Sequence, residues 1–359
     1  MTAGSPEADA SGTPRVTVLM AAYNGAKLIG ESLDSLLAQS FTDFEIVVVD
    51  DASTDDTAAV VAGYADPRIR LLRNATNLGV VGARNRAYAA ASSDYIAILD
   101  QDDLSRPGRL AAQVAHLDSH PASVLVATDI DITEDGSLRE SGRGSHALTN
   151  PVVLRWMLHI GNPLVHSSVM FRAAAVRQLG TYLRKDYELC EDYDFYLRLL
   201  ELGDIAILPE RLTILREHAG RASKRFEAAL NAHATKLLAD LYARYLGDDA
   251  GEAADLVIRY LAAGDAVPDA AALMRLGGHL DHLLAAYAGA AALSPADRAL
   301  VADYTGRLWW RTIRASLRMG RLPFLFRGFE SIAITRHHRM ARGDLAMSAL
   351  IGQVRRVLA

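Results

Sequence analysis

Hydrophobic and polar positions change period several times along the first 220 residues. "RVTVLMA" from Arg15 and "FEIVVVD" ending at Asp50 are short, β-branched and nearly all apolar. That is the pattern of strands covered on both faces. Between them Ile29, Leu33, Leu36 and Leu37 recur at helical spacing over residues 28–39. A helix over 55–64, a strand at "RIRLL" and a helix at "VVGARNRAYAAASS" follow. Next come a strand at "YIAIL", a helix at "RLAAQVAHLDSH" and a strand at "ASVLVAT". The alternation predicts an α/β fold, a mostly parallel sheet flanked by helices. Ligands of such sheets sit at the carboxyl ends of strands, where Asp50, Asp51 and the run "DQDD" from Asp100 fall.

Residues 133–150 are rich in Gly and Ser and read as a loop. "VVLRWMLHIGN" reads as a helix and "LVHSSVMFR" as a strand. Tyr193, Tyr196, Leu197 and Leu200 share one side of a helix over 190–202. "IAILP" and "RLTILREH" read as two short strands, and from Arg225 onward the pattern is helical and alanine-rich. Three segments are expected: a disordered tail over 1–14, an α/β domain over 15–222, and a helical region over 223–359.

Composition narrows the function classes. Half of the 359 residues are hydrophobic, enough for one large core or two ordinary ones. The net charge of −5 argues against a nucleic-acid binder. A single cysteine, Cys190, excludes a disulfide framework and a cysteine-rich zinc site, and fits a reducing, cytoplasmic compartment. The first fifteen residues lack the apolar stretch of a signal peptide, and no uncharged run reaches the roughly 20 residues of a membrane span. Charge is uneven: residues 306–359 hold eleven Lys/Arg against two Asp/Glu, so the remainder stands at −14.

Three carboxylates at Asp100, Asp102 and Asp103 repel one another unless something offsets them. In an extended segment residues i and i+2 point the same way, so Asp100 and Asp102 are expected to converge. Hard cations such as Mg2+ or Mn2+ take such oxygen ligands and complete their shell with water and substrate phosphate. A solvated turn whose aspartates cap the next helix fits the same residues. In the second cluster, Ser53 and Asp56 have capping-box spacing, and Asp55 and Asp56 suit a first helical turn. Asp50 and Asp51 precede that cap, where a carboxylate can accept from a ribose hydroxyl or from the ring N–H of a pyrimidine such as uracil. "MAAYNGAKLIG" holds neither G-x-G-x-x-G nor G-K-[ST], which lowers a dinucleotide or P-loop reading.

The strings "VTVLMAAYNGAKLIGESLDSLLAQSFTDFEIVVVDDASTDDT", "NLGVVGARNRA" and "YIAILDQDDLSRPGRL", in this order, resemble family 2 glycosyltransferases. These are inverting enzymes of the A-type nucleotide-sugar fold, and the resemblance covers residues 15–220. It implies that Ala21, Ala22 and Tyr23 line the base, that Asp51 accepts from it, and that Arg84 approaches the nucleotide and its phosphates. It further implies that Asp100 faces ribose and metal, and that Asp102 is the main ligand of Mn2+ or Mg2+ in a D-x-D. Ala21 stands where many members have proline, and Ala87 where glycine is frequent. Gln101 and Asp103 receive no assignment.

Within "LCEDYDFYLRLL" the resemblance makes Asp192 the general base, with Glu191 on the acceptor side. Acids at a helix start are also favoured by the macrodipole, which covers Glu191 and Asp194. His218, in an Arg-x-His strand end, matches a position near the diphosphate and metal; a solvent-facing loop histidine fits equally. His166 matches a position near the acceptor pocket, and a satisfied core histidine fits it as well.

The expected function is metal-dependent, inverting sugar transfer from a UDP- or dTDP-sugar to a hydroxyl of a glycan or lipid-linked acceptor, as in cell-envelope polysaccharide biosynthesis. One rival is a nucleotidyltransferase that forms nucleotide sugars, for which "MAAYNGAK" is a poor triphosphate loop. Another is a non-catalytic nucleotide-sugar-binding scaffold, which would be expected to have lost Asp192 or the D-x-D. Arg307, Arg311, Arg314, Arg318 and Arg321 form one helical stripe, with Leu308, Trp309, Trp310, Ile313 and Leu317 largely outside it and "PFLF" following. Two readings stand: a helix lying on the inner face of the plasma membrane, or one packing its tryptophans on the preceding helices.

Overall fold

The computed structural model describes residues 12–134, 137–140, 146–218, 226–320 and 342–358. Most of the expected tail, the boundary near 221–225, Arg321 and "PFLF" lie outside the described residues. Contacts divide the chain into two units: Met1–Pro151 with Leu164–Arg225, and Val152–Pro163 with Phe226–Ala359.

All seven residues of β2 (Phe44–Asp50) are buried. β2 pairs in parallel with β1 (Val16–Ala22) and with β3 (Ile69–Arg73), and β1 pairs in parallel with β4 (Tyr95–Ile98). The register sets Ala22 beside Asp50 and Leu19 beside Ile98, so these strands end along one edge. Helices α1 (Ile29–Leu37), α2 (Thr57–Ala62), α3 (Gly79–Ala89) and α4 (Arg109–Ser119) connect the strands. Ile29, Leu33 and Leu36 of α1, and Leu110, Val114 and Leu117 of α4, seal the core against β1 and β2.

Beyond β4 the sheet is mixed. Its nine strands include β5 (Leu104–Ser105), β6 (Ser123–Glu134), β7 (Ser137–Glu140), β8 (Val169–Arg172) and β9 (Asp204–Arg216). The order is β3-β2-β1-β4-β8-β6-β9-β5, with β7 on β6. β8 runs antiparallel to β4 and to β6, while β6 and β9 are parallel. β6 and β9 therefore point the same way as β1–β4, and the start of β8 lies on the edge where those strands end. "IAILP" and "RLTILREH" are one strand, β9, with register shifts opposite Thr128–Ile130. Part of the expected 133–150 loop is a strand, because β6 runs on to Glu134 and pairs with β7.

Helices α5 (Pro151–Met157), α6 (Ala173–Leu179) and α7 (Glu191–Leu199) follow in sequence around β8. Gly180 ends α6 at φ 74°, a left-handed position that glycine takes without a Cβ penalty.

The second unit is helical apart from its connections. It comprises α8 (Glu227–Leu246), α9 (Ala250–Leu256) continuing as a π-helical turn (Val257–Ala262), α10 (Ala270–Ala290), α11 (Pro295–Arg318) and α12 (Arg342–Leu358). Ser294 accepts from the Asp297 amide with Pro295 in the first turn, and Asp269 caps α10 through Ala272. Trp156 is buried and donates to Thr305 at 2.8 Å. On α11 the arginines 307, 311 and 318 are exposed, while Leu308, Trp309, Trp310, Ile313 and Leu317 are core. The tryptophans thus pack internally, and α11 has no apolar face left to lay on a membrane. No described helix is long and apolar enough to cross one.

Candidate active site

The strand edge carries the predicted acids, but not in the expected geometry. β4 stops at Ile98, and Asp100 to Asp103 close a turn in which the Asp103 amide donates to the Asp100 carbonyl at 3.2 Å. The side chains therefore do not follow the alternation of an extended strand, and each carboxylate has its own partner. Asp100 accepts from Arg84 at 2.7 Å. Asp102 meets His218 Nε2 at 2.8 Å. Asp103 accepts from Ser167 and from the Arg216 amide, the latter at 3.0 Å. Burial first, then the neighbouring Asp100 and Asp102, push Asp103 up to about 7. Burial also pushes Asp100 up, but the Arg84 guanidinium overrides it and leaves Asp100 below the usual carboxylate range.

Topology explains these meetings. The turn leaves β4, Arg216 ends β9 and His166–Ser168 lead into β8, all at one edge of the sheet. Asp103, unassigned by the sequence, fastens the Asp102 turn to the β9 end that leads to His218.

The base-side loops are cross-stapled. Asp51 is 3% exposed, and its Oδ1 accepts from Asn74 Nδ2 and from the Leu78 amide at 2.9 Å. This carboxylate is held in one orientation at the end of β2. Asp50 accepts from the Ser53 amide at 3.3 Å, and its buried second oxygen lies 3.7 Å from Arg73 Nε with no hydrogen-bond partner among the described residues. The expected capping box is absent: Ser53 accepts instead from the Asn24 amide, and Asp55 accepts from the Ala26 amide and from Thr57. Those two residues tie the loop after β1 to the loop after β2. Gln101 pairs with both backbone groups of Tyr23, at 3.0 and 3.1 Å. A Cβ on Gly25 would fall inside the Gln101 amide and would displace that side chain from its two bonds to Tyr23. Tyr23 is 46% exposed and Ala21 is half-buried.

Around the start of α7 the groups are buried. Glu191 accepts from Arg84 Nη1 at 3.0 Å, and its Oε2 has no hydrogen-bond partner among the described residues. Asp192 is half-buried and takes the Tyr193 amide at 2.7 Å. Asp194 is an ion-pair anchor for Arg184 and Arg198. His166 bonds Tyr196 OH at 2.7 Å and Tyr182 OH at 3.4 Å. Burial, then the Arg84 charge, lowers His166 to about 3, so it is neutral. Tyr182 and Tyr196, both raised by burial, received no site role from the sequence: Tyr196 reads only as part of a helix face, and Tyr182, in the loop between α6 and α7, carries no periodic signal. Arg109 was also missed. It is fully buried, donates to the Ile98 and Val169 carbonyls, and burial lowers it to about 9.

A divalent cation can be tested against these donors. Asp102 Oδ2 and His218 Nε2 approach as two ligands of one ion would, and both side chains are partly exposed, at 23% and 34%. A carboxylate and an imidazole suit Mn2+. Among the described residues no group of three or more His, Cys, Asp or Glu forms a metal cluster, and Asp102 and His218 would supply two ligands of the shell.

Residues 17–180 match the profile of the family described as Glycosyl transferase family 2. EpsE of Bacillus subtilis (strain 168), named as a glycosyltransferase, is 35% identical over 218 residues, 59% of this chain and 76% of that protein. WfgD of Escherichia coli, named as a UDP-Glc:alpha-D-GlcNAc-diphosphoundecaprenol beta-1,3-glucosyltransferase, is 39% identical over 100 residues, 28% of this chain and 40% of that protein. Among solved structures, TarS 1–349 of S. aureus in complex with UDP-GlcNAc shares the fold at TM-score 0.55 and 17% identity, covering 96% of this chain and 92% of that one. The mannosyltransferase PcManGT of Pyrobaculum calidifontis, in complex with GDP-Man and Mn2+, matches at TM-score 0.51 and 22% identity, covering 88% of each chain.

Proposed function

This chain belongs to glycosyl transferase family 2 and is a glycosyltransferase, and from that premise we propose a metal-dependent, inverting transfer from a UDP- or dTDP-sugar to a hydroxyl of a glycan or lipid-linked acceptor. One observation carries the reading: a single strand edge presents an oriented carboxylate at Asp51, the Asp102–His218 pair at 2.8 Å, and Asp192 at the start of α7. A pyrimidine ring N–H suits Asp51, with Tyr23 and Ala21 beside the base and Asp100 toward the ribose. WfgD is named as using UDP-Glc with a diphosphoundecaprenol acceptor, which favours the same chemistry here.

In the proposed reaction Asp192 takes the proton of the acceptor hydroxyl as its oxygen attacks the anomeric carbon. The bond from that carbon to the diphosphate oxygen breaks with its electron pair, and configuration inverts. Asp102 and His218 would hold a divalent cation, Mn2+ or Mg2+, which when bound neutralises the departing diphosphate, so no protein acid is needed. His166 and Glu191 stand behind the acceptor side. The basic end of the chain would rest on an anionic leaflet. Exposed Met347, Leu350 and Arg355 on α12, rather than the packed face of α11, favour that contact.

Incubation with a panel of UDP-, dTDP- and GDP-sugars and Mn2+ tests the proposal. Release of UDP or dTDP is expected. A parallel incubation with UTP or dTTP, a sugar 1-phosphate and Mg2+ would release pyrophosphate only from a nucleotidyltransferase, and donor binding without turnover in either assay would mark a scaffold.

A further inference from the structure

Arg84 is only 8% exposed, yet burial does not discharge it, because Asp100 and Glu191 raise its pKa above the usual value. Its two terminal nitrogens go to different carboxylates, Nη2 to Asp100 and Nη1 to Glu191. These partners come from the turn after β4 and from the first residue of α7, 16 and 107 positions away in the chain. A buried guanidinium persists only where acceptors face it in good geometry, and here they engage both ends of the fork. The resemblance implies a contact from Arg84 to the nucleotide and its phosphates; in the structure the fork is engaged by the protein itself.

A second tie runs parallel to the first. Tyr196, one helical turn beyond Asp192, bonds His166, and the adjacent Ser167 hydroxyl accepts from the Asp100 amide at 3.2 Å. The turn that carries Asp100 and the helix that carries Asp192 are thus joined twice, once by an ion pair and once by neutral hydrogen bonds. Asp192 directly follows Glu191, so fixing Glu191 fixes the backbone that aims Asp192.

Building on the transferase reading, we propose that Arg84 is a positioning residue: it straps the start of α7, and with it Asp192, to the donor-side turn, and does not bind the diphosphate itself. The double variant Arg84→Met/Glu191→Gln removes one positive and one negative charge together and so keeps the buried balance. Arg84→Lys keeps a charge without the fork.

Calorimetry with UDP and Mn2+, read beside steady-state kinetics, separates the roles. UDP affinity in both variants is expected to stay within about threefold of wild type. In the double variant kcat is expected to fall on the order of 10²-fold, the scale of a misplaced reacting group, with Arg84→Lys in between. UDP affinity that drops in step with kcat would make Arg84 a diphosphate ligand and overturn the proposal, as would an unchanged kcat. Amide hydrogen exchange over residues 191–194, measured without any ligand, is expected to speed up in the double variant; unchanged exchange also overturns the strap. That measurement needs no turnover. A wild type that releases no nucleoside diphosphate would therefore sink the transferase reading while leaving the strap to be judged by itself.

Discussion

The two units treat buried charge in opposite ways. Among the described residues every buried Asp, Glu and Arg lies in the α/β unit: Glu45, Asp50, Asp51, Arg84, Asp103, Arg109, Asp131, Glu191 and Asp194. The buried polar residues of the helical unit are neutral hydroxyls and one histidine: Thr305, Thr312, Ser316, Ser348 and His159. Thr312 donates to the Tyr260 carbonyl at 2.7 Å, Ser316 to the Thr312 carbonyl, and Thr305 meets Trp156, while the Ser348 hydroxyl has no hydrogen-bond partner among the described residues. Taking charges out of water costs several kcal/mol per ion unless geometry compensates, so an apolar core is the cheaper way to build stability. In the α/β unit Arg84 orients Asp100 and Glu191 at the strand edge, whereas Glu45 and Asp194 are held in ion pairs away from it. Perturbed groups gathered at that edge support the site proposed above.

That contrast can be broken most directly at the base. Asp192→Asn is expected to lose ~10²-fold or more of transfer, the usual scale of general-base catalysis, with UDP binding intact. If Glu191→Gln is the dead variant and Asp192→Asn turns over normally, the base is the neighbour. Asp102→Asn is expected to lose the part of UDP affinity that depends on Mn2+, measured by calorimetry with and without the ion; an unchanged Mn2+ dependence would falsify the ligand assignment.

In the helical unit the corresponding change is a cavity. Trp309 is fully buried, and Trp309→Ala is expected to lower stability by about 3–5 kcal/mol in denaturant melts. UDP affinity of the folded protein should stay the same, since each proposed site residue belongs to the other unit. A loss of UDP binding with no loss of stability would reverse the assignment of roles.

The buried histidines sharpen the comparison through pH. His166 sits at about 3, against roughly 6.5 in an unfolded chain. Between those values the unfolded state holds the extra proton, so the stability His166 contributes is complete above about pH 6.5 and is lost as pH falls toward 3. Burial lowers His159, in the helical unit, to about 4, and it acts in the same sense. His166→Gln should therefore flatten the acid side of a melting-temperature profile. A profile that keeps the wild-type slope would mean that His166 is not the neutral, buried group described.

The smallest effect concerns α12, where Met347 and Leu350 are 58% and 54% exposed. Each arginine near an anionic leaflet contributes about 1 kcal/mol, so flotation with anionic vesicles should be weak and should vanish as salt rises. Flotation that persists after Met347→Ser/Leu350→Ser would move the contact elsewhere.

Much of the α/β unit was legible because its signals are local. β-branched runs, helical periods and their alternation predict strands β1 to β4 and the helices between them, and the strand-end acids follow from the same reading. What misled was local reasoning applied where long-range partners decide. Ser53 and Asp56 have capping-box spacing, yet the Asn24 amide, 29 positions away, takes the Ser53 hydroxyl. Residues 133–150 look like a loop because Gly and Ser dominate, yet the end of β6 gives β7 a hydrogen-bonding edge.

The sequence by itself determined the periodicity of the elements, the family and the chemical types available at the strand edge, because side-chain period and residue identity are properties of neighbours in the chain. Only the tertiary structure decided which groups meet. It turned the Asp100 run out of extended geometry, paired Asp102 with His218 across 116 positions, and set Arg84 between Asp100 and Glu191. It also placed the tryptophans of α11 inside, where an amphipathic pattern alone fits either a membrane or a core. The physical reason is the same in each case: hydrogen bonds and buried charges are satisfied by whatever the topology brings within about 3 Å, and distance in space is not encoded in distance along the chain.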